Sequence, residues 1–282
     1  MPVTNREQRT ILGAGCALLA AAATPAGIAG EPQTLQGEEL RRFPAAEARQ
    51  GVAVDGEHFY ALDNAAIGKY DKTTGERVGG WRDVEDGAVK HLNSCTVHEA
   101  TLVCAHSNHP ELPMTSSVER FDTATMTHAG NWSLGIRDGS LTWAEQFDDA
   151  WWLTFANYGG GRGHALRDWR WTRLERFDEA RRVTDGWVFP KSVLARFAPM
   201  SSSGGAWGAD GLLYVSGHDH RELYVLALPE RGSVLEHVAT IAVPTAGQAF
   251  DFDPEQPRLL YSINRGTREV VVTRLPEIRT GR

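Results

Sequence analysis

Three cysteines in 282 residues leave room for one intrachain disulfide and exclude a disulfide-dense scaffold. Basic charge is also short: 29 Lys and Arg stand against 36 Asp and Glu, a formal charge of −7 with no basic stripe, which argues against a nucleic-acid partner. No apolar run reaches the ~20 residues that a membrane-spanning helix needs. No Gly-x-Ser-x-Gly, phosphate loop or dinucleotide fingerprint occurs. What the chain does hold is 29 Gly, 9 Trp, 6 Tyr and 10 Phe within 41% hydrophobic residues. That is enough for a large core and too much glycine and aromatic for a helical bundle. An all-β domain of ~200–250 residues is commonly one unit.

Residues 1–29 read as a signal peptide. Arg6 and Arg9 form a charged start, Ile11 to Ala23 an apolar stretch, and the small residues Gly27-Ile28-Ala29 a cleavage site before Gly30. A lipoprotein signal at Cys16 lacks its Leu three residues earlier, and Gln8-Arg9-Thr10 is one residue short of a twin-arginine motif. A buried helix is disfavoured, since nothing later in the chain is helical enough to pack on it. The expected product is a periplasmic or secreted monomer with one domain over 30–282. Cys95 and Cys104 then remain. If Glu99-Ala100 is a two-residue turn, paired residues have numbers summing to 199, Cys95 lies opposite Cys104, and the close spacing suits a disulfide. Two buried free thiols are the alternative.

The most informative pattern is internal repetition. Gly51 to Asn64 shows a short strand, an Asp55-Gly56 turn and an aromatic strand ending in polar residues. Asn93 to Asn108, Thr142 to Tyr158, Gly205 to Asp219 and Gln248 to Arg265 repeat it. Third strands echo one another in Lys69-Tyr70-Asp71, Glu119-Arg120-Phe121-Asp122 and Glu175-Arg176-Phe177-Asp178. Units beginning near 51, 93, 142, 205 and 248 predict an all-β fold: a five-bladed β-propeller of four-stranded blades. The fifth unit runs out one strand short near Pro276, and Leu40 to Pro44 resembles a fourth strand. The N-terminal segment is therefore expected to close the ring, which removes open sheet edges. A two-sheet sandwich does not explain these complementary ends.

In a propeller, starts of first strands and ends of second strands share one rim, while the tight Asp-Gly turns fall on the opposite, blander face. The first-strand starts are Gln50, Asn93, Thr142, Gly205 and Gln248. The second-strand ends are Asp63-Asn64, His106-Ser107-Asn108, Asn157-Tyr158, His218-Asp219-His220 and Asn264-Arg265. His106, His218 and Asp219 are the candidate catalytic residues, because imidazole titrates near neutral pH. Gln50, Asn64, Asn93, Asn108, Asn157, Tyr158, His220, Gln248, Asn264 and Arg265 are candidate substrate-binding residues. Polar residues also end strands for purely local reasons. His218 and His220 with His106 or His109 would make a zinc site, whereas Asp219, Asn108 and Asn157 are oxygen ligands suited to calcium. The choice between a divalent metal and no cofactor stays open. Glu119 and Glu175 read as strand-face residues pairing with nearby arginines. The connection from Gly159 to Trp171 reads either as a lid or sugar-stacking surface over the rim, or as core.

The blade pattern, with Phe43–Val54, Ala105–Pro110 and Gly204–Gly211, resembles exported bacterial propellers often labelled cycloisomerase-like, over nearly all of the mature chain. It is similar more distantly to lactonizing enzymes and gluconolactonase-type propellers, which work on small sugar acids and lactones at the channel mouth. The gluconolactonase type implies a metal on Glu, Asn and Asp; Asn157 and Asp219 are the positions here that would match, but no Glu starts the first blade. The resemblance implies an enzyme acting on a carbohydrate, sugar acid or lactone by hydrolysis, isomerisation or elimination. The competing reading is a non-catalytic propeller that binds a glycan or protein.

Overall fold

A computed structural model of the chain describes residues 31–279, so the proposed signal segment lies outside the described residues. Two strands, β1 (Gln33–Gln36) and β2 (Glu38–Pro44), open the described chain and join the sheets of the last two of five blades. Blade one holds β3 (Gly51–Val54), β4 (His58–Asp63), β5 (Ala66–Asp71) and β6 (Arg77–Arg82). Blade two holds β7 (His91–His98), β8 (Thr101–Ser107), β9 (Thr115–Asp122) and β10 (Thr127–Ile136). Blade three holds β11 (Ser140–Phe147), β12 (Ala150–Ala156), β13 (Arg173–Phe177) and β14 (Val183–Val188). Blade four comprises β15 (Gly204–Trp207), β16 (Leu213–Ser216), β17 (Glu222–Ala227) and β18 (Glu236–Ala242). Blade five is β19 (Asp251–Phe252), β20 (Leu259–Asn264), β21 (Glu269–Arg274) and then β2, which pairs antiparallel with β21. The fold is a five-bladed β-propeller closed by an N-terminal strand.

The turns explain the repeat. Asp71 and Asp122 end their third strands and Asp178 follows its own, and each accepts backbone N–H groups of the coming turn: Thr73 and Thr74, Thr125, and Arg182 respectively. The echo in the sequence is thus a turn cap. Asp148 and Asp149 both adopt positive φ (50° and 55°), the conformation of a two-residue turn between Phe147 and Ala150. Cys95 pairs with Cys104, Thr96 with Val103 and Val97 with Leu102, the register summing to 199, and the disulfide is formed.

The core is a series of layers between neighbouring sheets. Phe43, Phe59, Tyr70 and Tyr261 pack between blades five and one, with Phe59 stacked on Tyr70 at 5.0 Å. Trp143, Trp152, Trp207 and Tyr224 pack between blades three and four. Burying each such ring contributes about 1.5–3 kcal/mol, with up to ~1.5 more for a well-placed aromatic pair. At the axis the inner strands crowd: a Cβ on Gly51 would sit 2.6 Å from the Ala249 Cβ, and one on Gly204 2.6 Å from the Ala249 Cα. Only glycine lets the ring close this tightly.

Three features depart from the sequence reading. A short helix, α1 (Lys191–Phe197), joins blades three and four and buries Val193 and Phe197. Strand β1 adds to the outer edge of blade four, parallel to β18. Glu119 pairs with no arginine among the described residues: it accepts from Ser117 Oγ at 2.5 Å and from His128 Nε2 at 2.7 Å. Glu175 does pair with arginines, Arg137 and Arg173.

Candidate functional site

The five inner strands, β3, β7, β11, β15 and β19, run the same way, so their starts meet at one mouth of the axial channel. A cavity of about 160 Å³ opens there, the volume of some five water molecules, with room for one small molecule. Of the residues expected at this rim, Gln50, Asn93, Thr142, Tyr158, His218, Gln248 and Arg265 line it. His91, His109, Met200 and Ser203 line it as well. A larger cleft of about 440 Å³ lies on the outer edge of blade three among Asp149, Arg176, Asp178 and Arg182. It holds no convergent buried polar groups, and we place the site at the channel mouth.

Two adjacent residues in the left-handed region shape the mouth. Gly247 (φ 56°) tolerates no side chain, since a Cβ would lie 2.3 Å from the His218 carbonyl oxygen. Gln248 (φ 65°) follows it, and strain at a non-glycine residue in a pocket is a mark of functional sites. Its carbonyl accepts from Ser216 Oγ at 2.7 Å. Gln248 is 3% exposed, yet its amide Nε2 has no hydrogen-bond partner among the described residues. The buried His109 Nε2 has none either. Unmet buried groups of this kind cost ~1–3 kcal/mol each and call for a partner.

His91, His109 and Tyr158 form one wall, with ring centroids 5.4 and 4.8 Å apart. Burial, reinforced by neighbouring cationic groups, pushes the His91 pKa down to about 4, and burial lowers that of His109. Both are neutral at pH 7. Burial drives the Tyr158 hydroxyl up to about 12. Opposite them, His218 Nδ1 meets Asp219 Oδ1 at 2.6 Å, and Arg265 Nη1 lies 3.3 Å from His218 Nε2. An arginine only donates, so Nε2 is the acceptor and Nδ1–H donates to Asp219. Arg265 has no carboxylate partner among the described residues; Asp63 instead takes Arg49 and Arg268. Burial, then repulsion from Arg49 and Arg268, lowers the Arg265 pKa. The mouth therefore combines surplus positive charge, neutral imidazoles and a His–Asp pair.

The other expected residues stand behind or away from the cavity. Asn64 Oδ1 accepts from Gln50 Nε2 at 2.6 Å and positions it. Asn108 braces its own loop through Thr115 N and Pro113 O. Asn157 is held by the carbonyls of Asp138 and Trp171, and Asn264 caps the turn at Gly266 and Thr267. His220 contacts Arg196. His106 faces into blade two, where Lys90 N–H donates to Nε2 and Nδ1 lies 2.9 Å from Ser117 Oγ. With both nitrogens engaged inside the sheet, it is a structural histidine. Its neighbour Ser107 takes the axis side of the strand, as period-2 alternation requires.

His91 escaped sequence reading because β7 begins two residues before the aligned start, and a register shift between Leu92 and Cys95 re-aims it. His109, by contrast, stood in the same polar run as His106. Among the described residues no three His, Cys, Asp or Glu side chains are arranged to hold a metal ion, so His218 and His220 are not gathered with His106 or His109 into a zinc site. Of the connection after β12 (Ala150–Ala156), only Tyr158 reaches the cavity. Trp169 packs against Gly159 and the blade-three core, and Trp171 stays 55% exposed.

No family model and no curated protein matches the chain, so the cycloisomerase-like and gluconolactonase resemblance has no support from those comparisons. Similar solved structures include a chain of a mitotic checkpoint complex (8% identity, TM-score 0.48, covering 98% of this chain and 100% of that one). Hydrazine synthase of Kuenenia stuttgartiensis gives 14% identity and a TM-score of 0.45, covering 80% and 69%. A structure of U3-55K gives 9% and 0.46, covering 86% and 100%. At these scores the likenesses carry no functional weight, and the fold rests on the chain's own sheets.

Proposed function

We propose that the protein is an exported propeller enzyme that binds a small anionic, hydroxylated molecule of the sugar-acid class at this mouth and moves a proton on it. The observation that carries the reading is the contact between Arg265, a guanidinium without a carboxylate, and Nε2 of an Asp219-oriented His218. A carboxylate on the ligand would draw Arg265 off His218, and the released Nε2 would then accept a proton from the carbon or hydroxyl beside that carboxylate. Asp219 holds the tautomer and stabilises the imidazolium, as in other His–carboxylate pairs. Gln248, Gln50 and Asn93 supply amides for the ligand's hydroxyls. Proton abstraction of this kind serves isomerisation or elimination. Disulfide formation between Cys95 and Cys104 supports an oxidising compartment. No helix among the described residues is long and apolar enough to cross a membrane.

The test is calorimetry and turnover with a panel of sugar acids and their lactones. Arg265→Met should weaken binding by about 10–100-fold, the worth of a charge-assisted contact of ~1.5–3 kcal/mol. His218→Gln should abolish turnover and leave binding within a few-fold. Saturable binding without turnover by the unaltered protein would make it a binding propeller; turnover that survives His218→Gln would refute the assigned base.

A further inference from the structure

The inner strands end at the opposite mouth, the face of the tight Asp-Gly turns. A cleft of about 270 Å³ opens there, walled by Glu145, Asp251, Phe147, Trp207 and Phe252. Glu145 Oε2 accepts from Trp207 N at 2.9 Å, and Asp251 Oδ2 accepts from Val54 N at 3.1 Å, each bond linking one blade to the next. A neutral amide would accept those N–H groups equally well, so the inter-blade bonds do not explain why both residues are acids. Neither carboxyl has a Lys, Arg or His within ion-pair distance among the described residues. The nearby cation, Lys72, is taken by Asp253 at 2.9 Å and lies 3.7 Å from Glu255. Burial raises both carboxyl pKa values, that of Asp251 to about 8, and the charge of Asp251 adds to the rise at Glu145. Independently, Trp207 is 7% exposed and lines the same cleft, and its indole Nε1–H has no acceptor among the described residues.

A buried acid, Asp251, and a half-buried one, Glu145, without a counter-ion call for a cation, an unmet indole N–H calls for an oxygen, and the rings of Phe147 and Phe252 suit a short carbon skeleton. We propose that this mouth is a second binding site, taking a small organic ammonium ion that also carries a hydroxyl or carbonyl oxygen. The ammonium donates to Glu145 and Asp251, and the oxygen accepts from Trp207 Nε1–H. Binding ionises the carboxyls, so it releases protons and tightens as pH rises from 6 towards 8. The site is independent of the anion reading at the first mouth, where the charge is of opposite sign.

The probe is ethanolamine, titrated by calorimetry at constant ionic strength at pH 6 and pH 8. Ethylammonium, which lacks the oxygen, and ethylene glycol, which lacks the charge, are the comparators. Ethanolamine should bind saturably and more tightly at pH 8, ethylammonium more weakly, and ethylene glycol not at all. Glu145→Gln keeps an acceptor for Trp207 N and should weaken binding by about tenfold or more, the worth of a charge-assisted bond. Trp207→Phe should erase the preference for ethanolamine over ethylammonium. Arg265→Met, at the other mouth, should leave the affinity for ethanolamine unchanged. Absence of saturation up to about 50 mM, far beyond the ~1 mM of a weak specific site, would overturn the proposal. Equal affinity in Glu145→Gln would overturn it as well.

Discussion

Asp55 and Asp210 occupy the first-to-second-strand turns of blades one and four, and each binds a tyrosine from the strand that follows. Tyr60 Oη donates to Asp55 Oδ2 at 2.6 Å and Tyr214 Oη to Asp210 Oδ2 at 2.7 Å. Burial alone would raise the Asp55 pKa, but the hydrogen bonds from Tyr60 and from the His58 and Glu57 amides outweigh it, and the carboxyl sits below its ordinary value. Tyr60→Phe and Tyr214→Phe should each cost about 1.5–3 kcal/mol in urea denaturation, the range for a bond to a charged group. An unchanged midpoint in both would show the bonds to be idle. Asp251 acts with the opposite sign. Its folded pKa is about 8 and its unfolded value near 3.9, so between these the folded protein keeps a proton that the unfolded chain has lost. Its stabilisation is complete below pH ~4 and is lost as pH rises to 8. Above about pH 7 His91, held at about 4 in the fold and near 6.5 unfolded, is neutral in the fold and only about a quarter protonated or less in the unfolded chain, so it offsets this loss by no more than about 0.2 kcal/mol. Stability should therefore fall from pH 7 to pH 8 by up to about 1.4 kcal/mol, and Asp251→Asn should flatten that fall.

At the scale of elements, the β7–β8 hairpin is where sequence and structure agree most closely, because a two-residue turn leaves the register no freedom. Glu99 supplies the positive φ (54°) at that turn, and Cys95 and Cys104 face each other with Cα atoms 4.0 Å apart. The cross-link closes a loop of ten residues, worth about 2.7 kcal/mol by loop entropy, less whatever the hairpin itself already orders. The Cys95→Ser, Cys104→Ser double variant should remain folded and lose up to that amount; loss of all cooperative unfolding would mean that blade two depends on the bond. Blade starts and the Asp turn caps were legible for the same local reason. Positions set by long-range packing were not. Helix α1 is too short for a periodic signal and exists because Val193 and Phe197 find the layer between blades three and four. At the channel mouth the strand ends told which residues are polar, but not which way each turns. Thus His218, Gln248 and Arg265 line the cavity with His91, whose position the strand alignment does not show, whereas His106 turns into its sheet.

For the whole molecule the decisive feature is how the ring shuts. Blade five has only three strands of its own, and β2 completes it by pairing from Glu38 with Arg274 to Pro44 with Glu269. Phe43 drives this closure: it is 3% exposed, lies under the Arg41 guanidinium at 4.2 Å and packs on Phe59 at 5.1 Å. Strand β1 does a lesser job. Its residues alternate between half-buried and exposed along the edge of β18, and Gln33 Nε2 reaches the Arg279 carbonyl at 2.8 Å. Gly37 carries the chain between the two blade edges, where a Cβ would lie 2.8 Å from Thr273 Cγ2. The two strands should therefore separate on deletion. A chain beginning at residue 38 loses one edge strand and little apolar burial, so it should still melt cooperatively, a few degrees lower. A chain beginning at residue 47 loses Phe43, worth about 3–5 kcal/mol on its own, and bares the backbone edge of β21 beside Val270 and Val272. Against a total stability of ~5–15 kcal/mol it should show no cooperative transition and should self-associate on size exclusion. Melting like that of the intact chain would mean that the ring holds without its closing strand.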